Sequence, residues 1–148
     1  MTQAADHTPG TPQVDWTDAF DARSQAAFIE ALAPDVVLEA TLATRPIVGR
    51  DLVARVMATM STSYESLEFT HQATNGARTY LEWSARALGG LHFQGVTVLV
   101  RDEQGRIATV AIHHRFLNES LKLSEHAGRQ LLDVLAPSDF YNPSERTR

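Results

Sequence analysis

From Trp16 to Leu135 the apolar residues fall first at helical spacing, then at every second position, then at helical spacing again. Trp16 and Phe20 lie four apart. Ala27, Phe28, Ala31 and Leu32 form a stripe behind Ser24, a good N-cap, and Pro34 bounds that helix. Residues 35–42, "DVVLEATL", are rich in β-branched side chains and predict a strand. After a loop at 45–51, Leu52, Val53, Val56, Met57 and Met60 predict a helix. The period then becomes two. "ESLEFTHQAT", "RTYLEWSARAL", "LHFQGVTVLV" and "RIATVAIHHRF" predict four strands. Residues 118–135 predict a closing helix capped by Asn118, with Leu121, Leu131, Leu132 and Leu135 on its apolar face.

Strands that follow one another through short turns make an antiparallel meander, and the helices cover one face. The prediction is an α+β domain with one strongly curved, mostly antiparallel sheet. Residues 1–12 predict a flexible leader, 13–136 the domain and 137–148 a flexible tail, although Phe140 and Tyr141 are apolar enough to dock.

Composition narrows the function. Cysteine is absent, which removes disulfides, thiolate metal sites and cysteine nucleophiles. The net charge is −5 and Lys122 is the only lysine, so no basic stripe is available for nucleic acid. No apolar run approaches the ~20 residues that span a bilayer. The N-terminus has no basic, apolar signal pattern, so a cytoplasmic location is expected. No glycine-rich phosphate loop or dinucleotide fingerprint is present, and no cofactor is expected.

Residues 32–53 and 98–115 carry an acidic residue opening a strand (Asp35), a Pro-Ile-x-Gly-Arg-Asp turn (Pro46 to Asp51) and an Asp-Glu-x-Gly-Arg-Ile hairpin (Asp102 to Ile107). In these the chain resembles the SnoaL-like branch of the nuclear transport factor 2-like superfamily, over roughly residues 14–117. The resemblance implies a cone-shaped fold with one deep pocket enclosed by the bent sheet and the N-terminal helices. It includes ketosteroid isomerases, limonene epoxide hydrolases, scytalone dehydratases, polyketide cyclases and non-catalytic binding modules, so fold alone does not assign a reaction. Ala40 stands where ketosteroid isomerases carry their aspartate base. Trp16 and Thr97 stand at their oxyanion positions. Ile112 stands at the last-strand aspartate of the epoxide hydrolases.

The site depends on which face of each strand points inward. With a two-residue Gly89-Gly90 hairpin loop, Glu82 lies opposite Thr97, and Tyr80, Glu82, Ser84 and Arg86 point inside with Phe93, Thr97, Val110, Ile112 and His114. Trp83, Val96, Val98 and His113 then make an apolar convex face, which predicts a homodimer. A three- or five-residue loop flips the strand and puts Leu81, Trp83 and Ala85 on the pocket wall.

In the first register Glu82, Arg86 and His114 are the catalytic candidates. Glu82 is either a general base or half of an ion pair with Arg86. His114 is either a proton shuttle or a packed histidine. Trp16, Phe20, Leu38, Ala40, Met57 and Phe69 complete the expected pocket lining. His113 and His114 point to opposite faces and cannot share one ion, so no metal is expected. The expectation is a small enzyme without a metal, of isomerase, cyclase, dehydratase or epoxide hydrolase type. It acts by acid–base catalysis on a small apolar metabolite. The alternative is a non-catalytic binding or dimerisation module.

Overall fold

The computed structural model describes residues 15–145, so the leader expected at 1–12 lies outside the described residues. The chain opens with α1 (Trp16–Ala22) and α2 (Gln25–Ala31). Asp15 caps α1 through a capping box with Asp18, and Ser24 caps α2 by accepting from Ala27 N–H at 3.2 Å. These caps stabilise two helices too short to persist alone. Trp16, Phe20 and Phe28 meet edge to face, each pair 5.4 Å between centroids, and lock α1 onto α2.

Then follow β1 (Leu32–Ala40), β2 (Ile47–Val48) and α3 (Arg50–Ser63). Pro34 does not simply end α2. It falls inside β1, where the register against its neighbour is irregular between Leu32 and Val37, so its missing N–H costs no ladder bond. The short β2 arises within the expected loop.

Next come β3 (Tyr64–Asn75), β4 (Arg78–Ala87), β5 (Leu91–Arg101) and β6 (Ile107–Arg115). The sheet order is β2-β1-β6-β5-β4-β3. All pairs are antiparallel except β1 with β6, which is parallel. The helices cover the concave face and bury Phe28, Val53 and Met57 against Leu38, Phe93, Leu99 and Val110.

α4 runs Leu117–Gln130, starting one residue after Phe116 rather than at an Asn118 cap. The strand continues to Arg115, and Ser120 N–H already bonds the Phe116 carbonyl. Residues 138–141, within the expected tail, pack back on the domain. Phe140 is buried and bridges to Ala43, and Thr44 N–H bonds the Asp139 carbonyl at 2.8 Å. Arg45 Nε donates to the buried Asp139 carboxylate at 2.5 Å, which holds the Asp139 pKa below its usual range. The segment docks because Phe140 has a core site to fill and Asp139 a cation to meet.

Candidate active site

The hairpin between β4 and β5 decides the site. Ala87 pairs with Leu91, leaving Leu88, Gly89 and Gly90 in a three-residue loop, all at positive φ. Glu65 holds that loop by accepting from the Gly89 and Gly90 N–H groups at 2.9 and 3.0 Å. Leu81, not Glu82, therefore pairs with Thr97, and Trp83 pairs with Gly95. Burying Leu81 and Trp83 stabilises by roughly 1.5–3 kcal/mol for each large apolar side chain. The other register would bury Glu82 and Arg86, at a desolvation cost of several kcal/mol per ion. The longer loop wins on that difference.

This corrects the placement of Glu82 and Arg86. Both lie on the outer face. Glu82 pairs with His71 at 3.2 Å, both exposed, and Arg86 donates to the Gly90 carbonyl at 3.0 Å. Tyr80 and Ser84 are also outside, Ser84 bonded to His92 at 3.0 Å. Trp83 leaves the expected dimer face for the pocket, whereas Val96, Val98 and His113 remain outside.

Two bulges in β3 complete the arrangement. The register shifts between Tyr64 and Ser66, and again between Phe69 and His71. Each bulge changes the face that the following residues present. Tyr64, Leu67 and Phe69 all point inward, and His71 is turned out to Glu82.

The resulting cavity is narrow. It has about 40 Å³ of room for the centres of water-sized groups, within about 560 Å³ of atom-free space that includes its mouth. Phe20, Leu38, Ala40, Met57, Phe69, Thr97, Ile112 and His114 line it as expected. Trp16, Phe93 and Val110 sit in the solid core instead, Trp16 behind Phe20. Leu42, Ile47, Val56, Met60, Ala127 and Phe140 are added to the lining. The wall is almost wholly apolar, and its polar side chains are Tyr64, Trp83, Thr97 and His114.

Those four form one connected group. Trp83 Nε1 donates to Thr97 Oγ1 at 3.1 Å, which uses the indole donor and fixes the ring across Gly95. A Cβ on Gly95 would overlap that indole and the His113 carbonyl, so only glycine permits this crossing. The indole edge meets the His114 ring at 5.1 Å between centroids. His114 Nε2 lies 3.3 Å from the Tyr64 hydroxyl. Thr41 fixes the strand end, accepting from the His114 N–H at 3.0 Å and donating to the Ile112 carbonyl at 3.3 Å.

Burial governs both ionisable groups. Desolvation pushes His114 down to about 4, helped by the neighbouring His113 charge and opposed by the Ile112 carbonyl. His114 is only partly buried as a whole residue, but its Nδ1 is shut from solvent without a well-formed hydrogen bond. Burial raises the Tyr64 phenol well above its usual value. At neutral pH both groups are uncharged. In the Nδ1–H tautomer, Nε2 accepts from the Tyr64 hydroxyl 3.3 Å away. The pair is thus a proton acceptor beside a proton donor in an apolar cleft.

Tyr64 is absent from the sequence-based site. Simple alternation from Leu67 and Phe69 would put it with Ser66 and Glu68 on the other face, and the bulge at Glu65 has no clear sequence mark. Among the described residues no group of three or more His, Asp or Glu is placed to hold a metal ion, and no helix is long and apolar enough to cross a membrane.

A bent sheet closed by helices around one apolar cleft defines a cone-shaped pocket protein. The SnoaL-like domain model matches residues 14–110, and the chain belongs to that family. It is similar to a steroid delta-isomerase from Pseudomonas aeruginosa, with 28% identity, 82% of this chain and 89% of that chain covered, and a TM-score of 0.73. Two further structures share the fold alone. A cystatin-like-fold protein from Silicibacter pomeroyi has 19% identity, 77% and 84% coverage and a TM-score of 0.65. A protein of unknown function from Mesorhizobium loti, called NTF2-like, has 20% identity, 68% and 85% coverage and a TM-score of 0.62. A comparison with curated proteins returns no match.

Proposed function

We propose that this protein is an isomerase-type enzyme that moves a proton on a compact, largely apolar molecule carrying one carbonyl or enol oxygen. The Tyr64–His114 pair inside the apolar cleft carries this reading. His114 Nε2 is the base. Tyr64 donates to the ligand oxygen in place of the imidazole. As an α C–H bond breaks, the proton passes to Nε2 and its electron pair moves to the oxygen, where Tyr64 stabilises the developing charge. Return of the proton to another carbon completes the isomerisation. A pKa near 4 makes His114 a weak base and its conjugate acid a fast donor, so abstraction limits the rate. The likeness to a steroid delta-isomerase brings 3-ketosteroids into the test, and the narrow cleft puts single-ring cyclohexenones first.

The test is deuterium exchange in D₂O with 3-ketosteroids and cyclohexenones, read by mass spectrometry. Exchange above the buffer background is expected. His114→Gln should lower it by about 10²–10⁴-fold, and Tyr64→Phe by about 10²–10³-fold. Unchanged exchange in both variants would remove the assignment. A second reading, binding without turnover, is favoured by the lack of any carboxylate in the lining. It predicts ligand-induced thermal stabilisation with no exchange and no product.

We propose further that a second copy of the chain covers the outer face of the sheet. Val96, Val98 and Ala111 on β5 and β6 lie beside Tyr80 and form its apolar centre, with His113 and Glu82 flanking.

A further inference from the structure

Phe140 has an unusual position. It lines the inner cleft and, equally, a separate surface groove formed by Glu125, Gly128, Arg129, Leu132, Tyr141 and their neighbours. The groove is the roomier of the two, with about 370 Å³ by the same measure against about 40 Å³ for the cleft. On α4 the division falls between adjacent residues, since Ala127 faces the cleft and Gly128 the groove. Phe140 is 6% exposed and seated on Gly128, where an added Cβ would come within 3.1 Å of its own Cβ. Its backbone is anchored on both sides. Thr44 and Arg45 hold Ser138 and Asp139, and Ser124 Oγ accepts from Tyr141 N–H at 2.9 Å. Phe140 is the one residue common to both linings.

We propose that Phe140 is the partition that sets the length of ligand the pocket accepts. The groove behind it is a latent extension for an apolar chain, ending among the polar groups of Glu125, Arg129 and Asn142. With Phe140 seated, the protein takes compact ligands. With the ring removed, cleft and groove join. This rests on the reading of the cleft as a small-molecule site oriented by Tyr64 and His114, but not on any turnover there.

The probe is a series of straight-chain 1-alkanols from hexanol to dodecanol, whose hydroxyl can accept from Tyr64 and donate to His114 Nε2. Dissociation constants are read from the fluorescence of Trp83, which borders the cleft, and checked by thermal shift. Affinity should rise about fourfold per methylene while the chain stays buried, then level off. In the unaltered protein it should level off early in the series. In Phe140→Ala the rise should continue to longer members. Phe140→Leu, which retains more of the core packing, should shift the limit the same way by less. Adding Leu132→Glu to Phe140→Ala places a charge in the groove and should restore the short limit. An unchanged limit in folded Phe140→Leu or Phe140→Ala, or a gain that survives Leu132→Glu, overturns the partition and leaves the pocket reading intact. Failure of every alkanol to bind any of these proteins overturns the pocket reading and the partition together.

Discussion

His114 stands on the same strand as His113, yet only one of the two is drawn into the cleft. The difference is orientation, and its consequence is a pKa near 4 set mainly by burial. Stability follows with a definite sign. Unfolded, the imidazole titrates near 6.5, so as pH falls the unfolded chain binds the proton first. The stability this group confers is full above about pH 6.5, is lost as pH falls toward 4, and is level below that. The shift corresponds to at most about 3 kcal/mol. His114→Gln should therefore flatten the stability curve between pH 6.5 and 4, as measured by urea unfolding at several pH values. A variant as acid-sensitive as the unaltered protein across that window would show that His114 is not desolvated as described. Tyr64 makes the complementary point. Its phenol stays protonated far above neutral pH, so it keeps a proton to donate and does not serve as a base.

Strand pairing places these side chains. The three-residue hairpin loop puts Trp83 over Gly95, and the bulges in β3 bring Tyr64 and Phe69 to the same side. Gly95→Ala should destabilise by about 1–3 kcal/mol, as overpacking does, and should displace the indole from Thr97. Near-ultraviolet circular dichroism reads the second effect and denaturant unfolding the first. The docked segment after α4 is held by the buried Phe140, by backbone hydrogen bonds and by one ion pair with a buried carboxylate. Asp139→Asn removes the charge that Arg45 holds and should speed hydrogen exchange at the Phe140 amide, which donates to the Pro137 carbonyl. The rest of the sheet should exchange as before. Protonation of Asp139 acts the same way. Its depressed pKa stabilises the dock above the ordinary carboxylate range, and that contribution is lost as pH falls below it.

At the scale of the whole molecule, the sheet has two unlike faces. The concave one is closed by helices around the cleft, and the outer one is apolar along β5 and polar along β4. If a second copy covers it, Val98→Asp should yield a monomer with unchanged secondary structure by sedimentation and circular dichroism. A monomeric unaltered protein at micromolar concentration would end that proposal. Helices, strands and their order are legible from periodicity alone, because each helix or strand buries one face and its spacing records which. Core residues such as Phe28, Leu38, Val53 and Leu99 follow from the same alternation. The site was legible only in part. His114, Thr97, Ile112 and Phe69 follow from strand parity. A two-residue loop puts Glu82, Arg86, Tyr80 and Ser84 inside and a three-residue loop puts Leu81, Trp83 and Ala85 there, and the sequence carries both; the structure takes the second.

The apolar pattern by itself determined the α+β architecture with one curved sheet, since burial of apolar surface is the dominant local constraint, and the family resemblance implied the pocket. Tertiary structure alone decided which polar atoms face that cleft. A hairpin register, two bulges and the docking of Phe140 are choices between alternatives that differ little in local sequence. They are settled by the difference between burying Trp83 and Leu81 and burying Glu82 and Arg86, a balance that exists only once β3, β4 and β5 lie side by side.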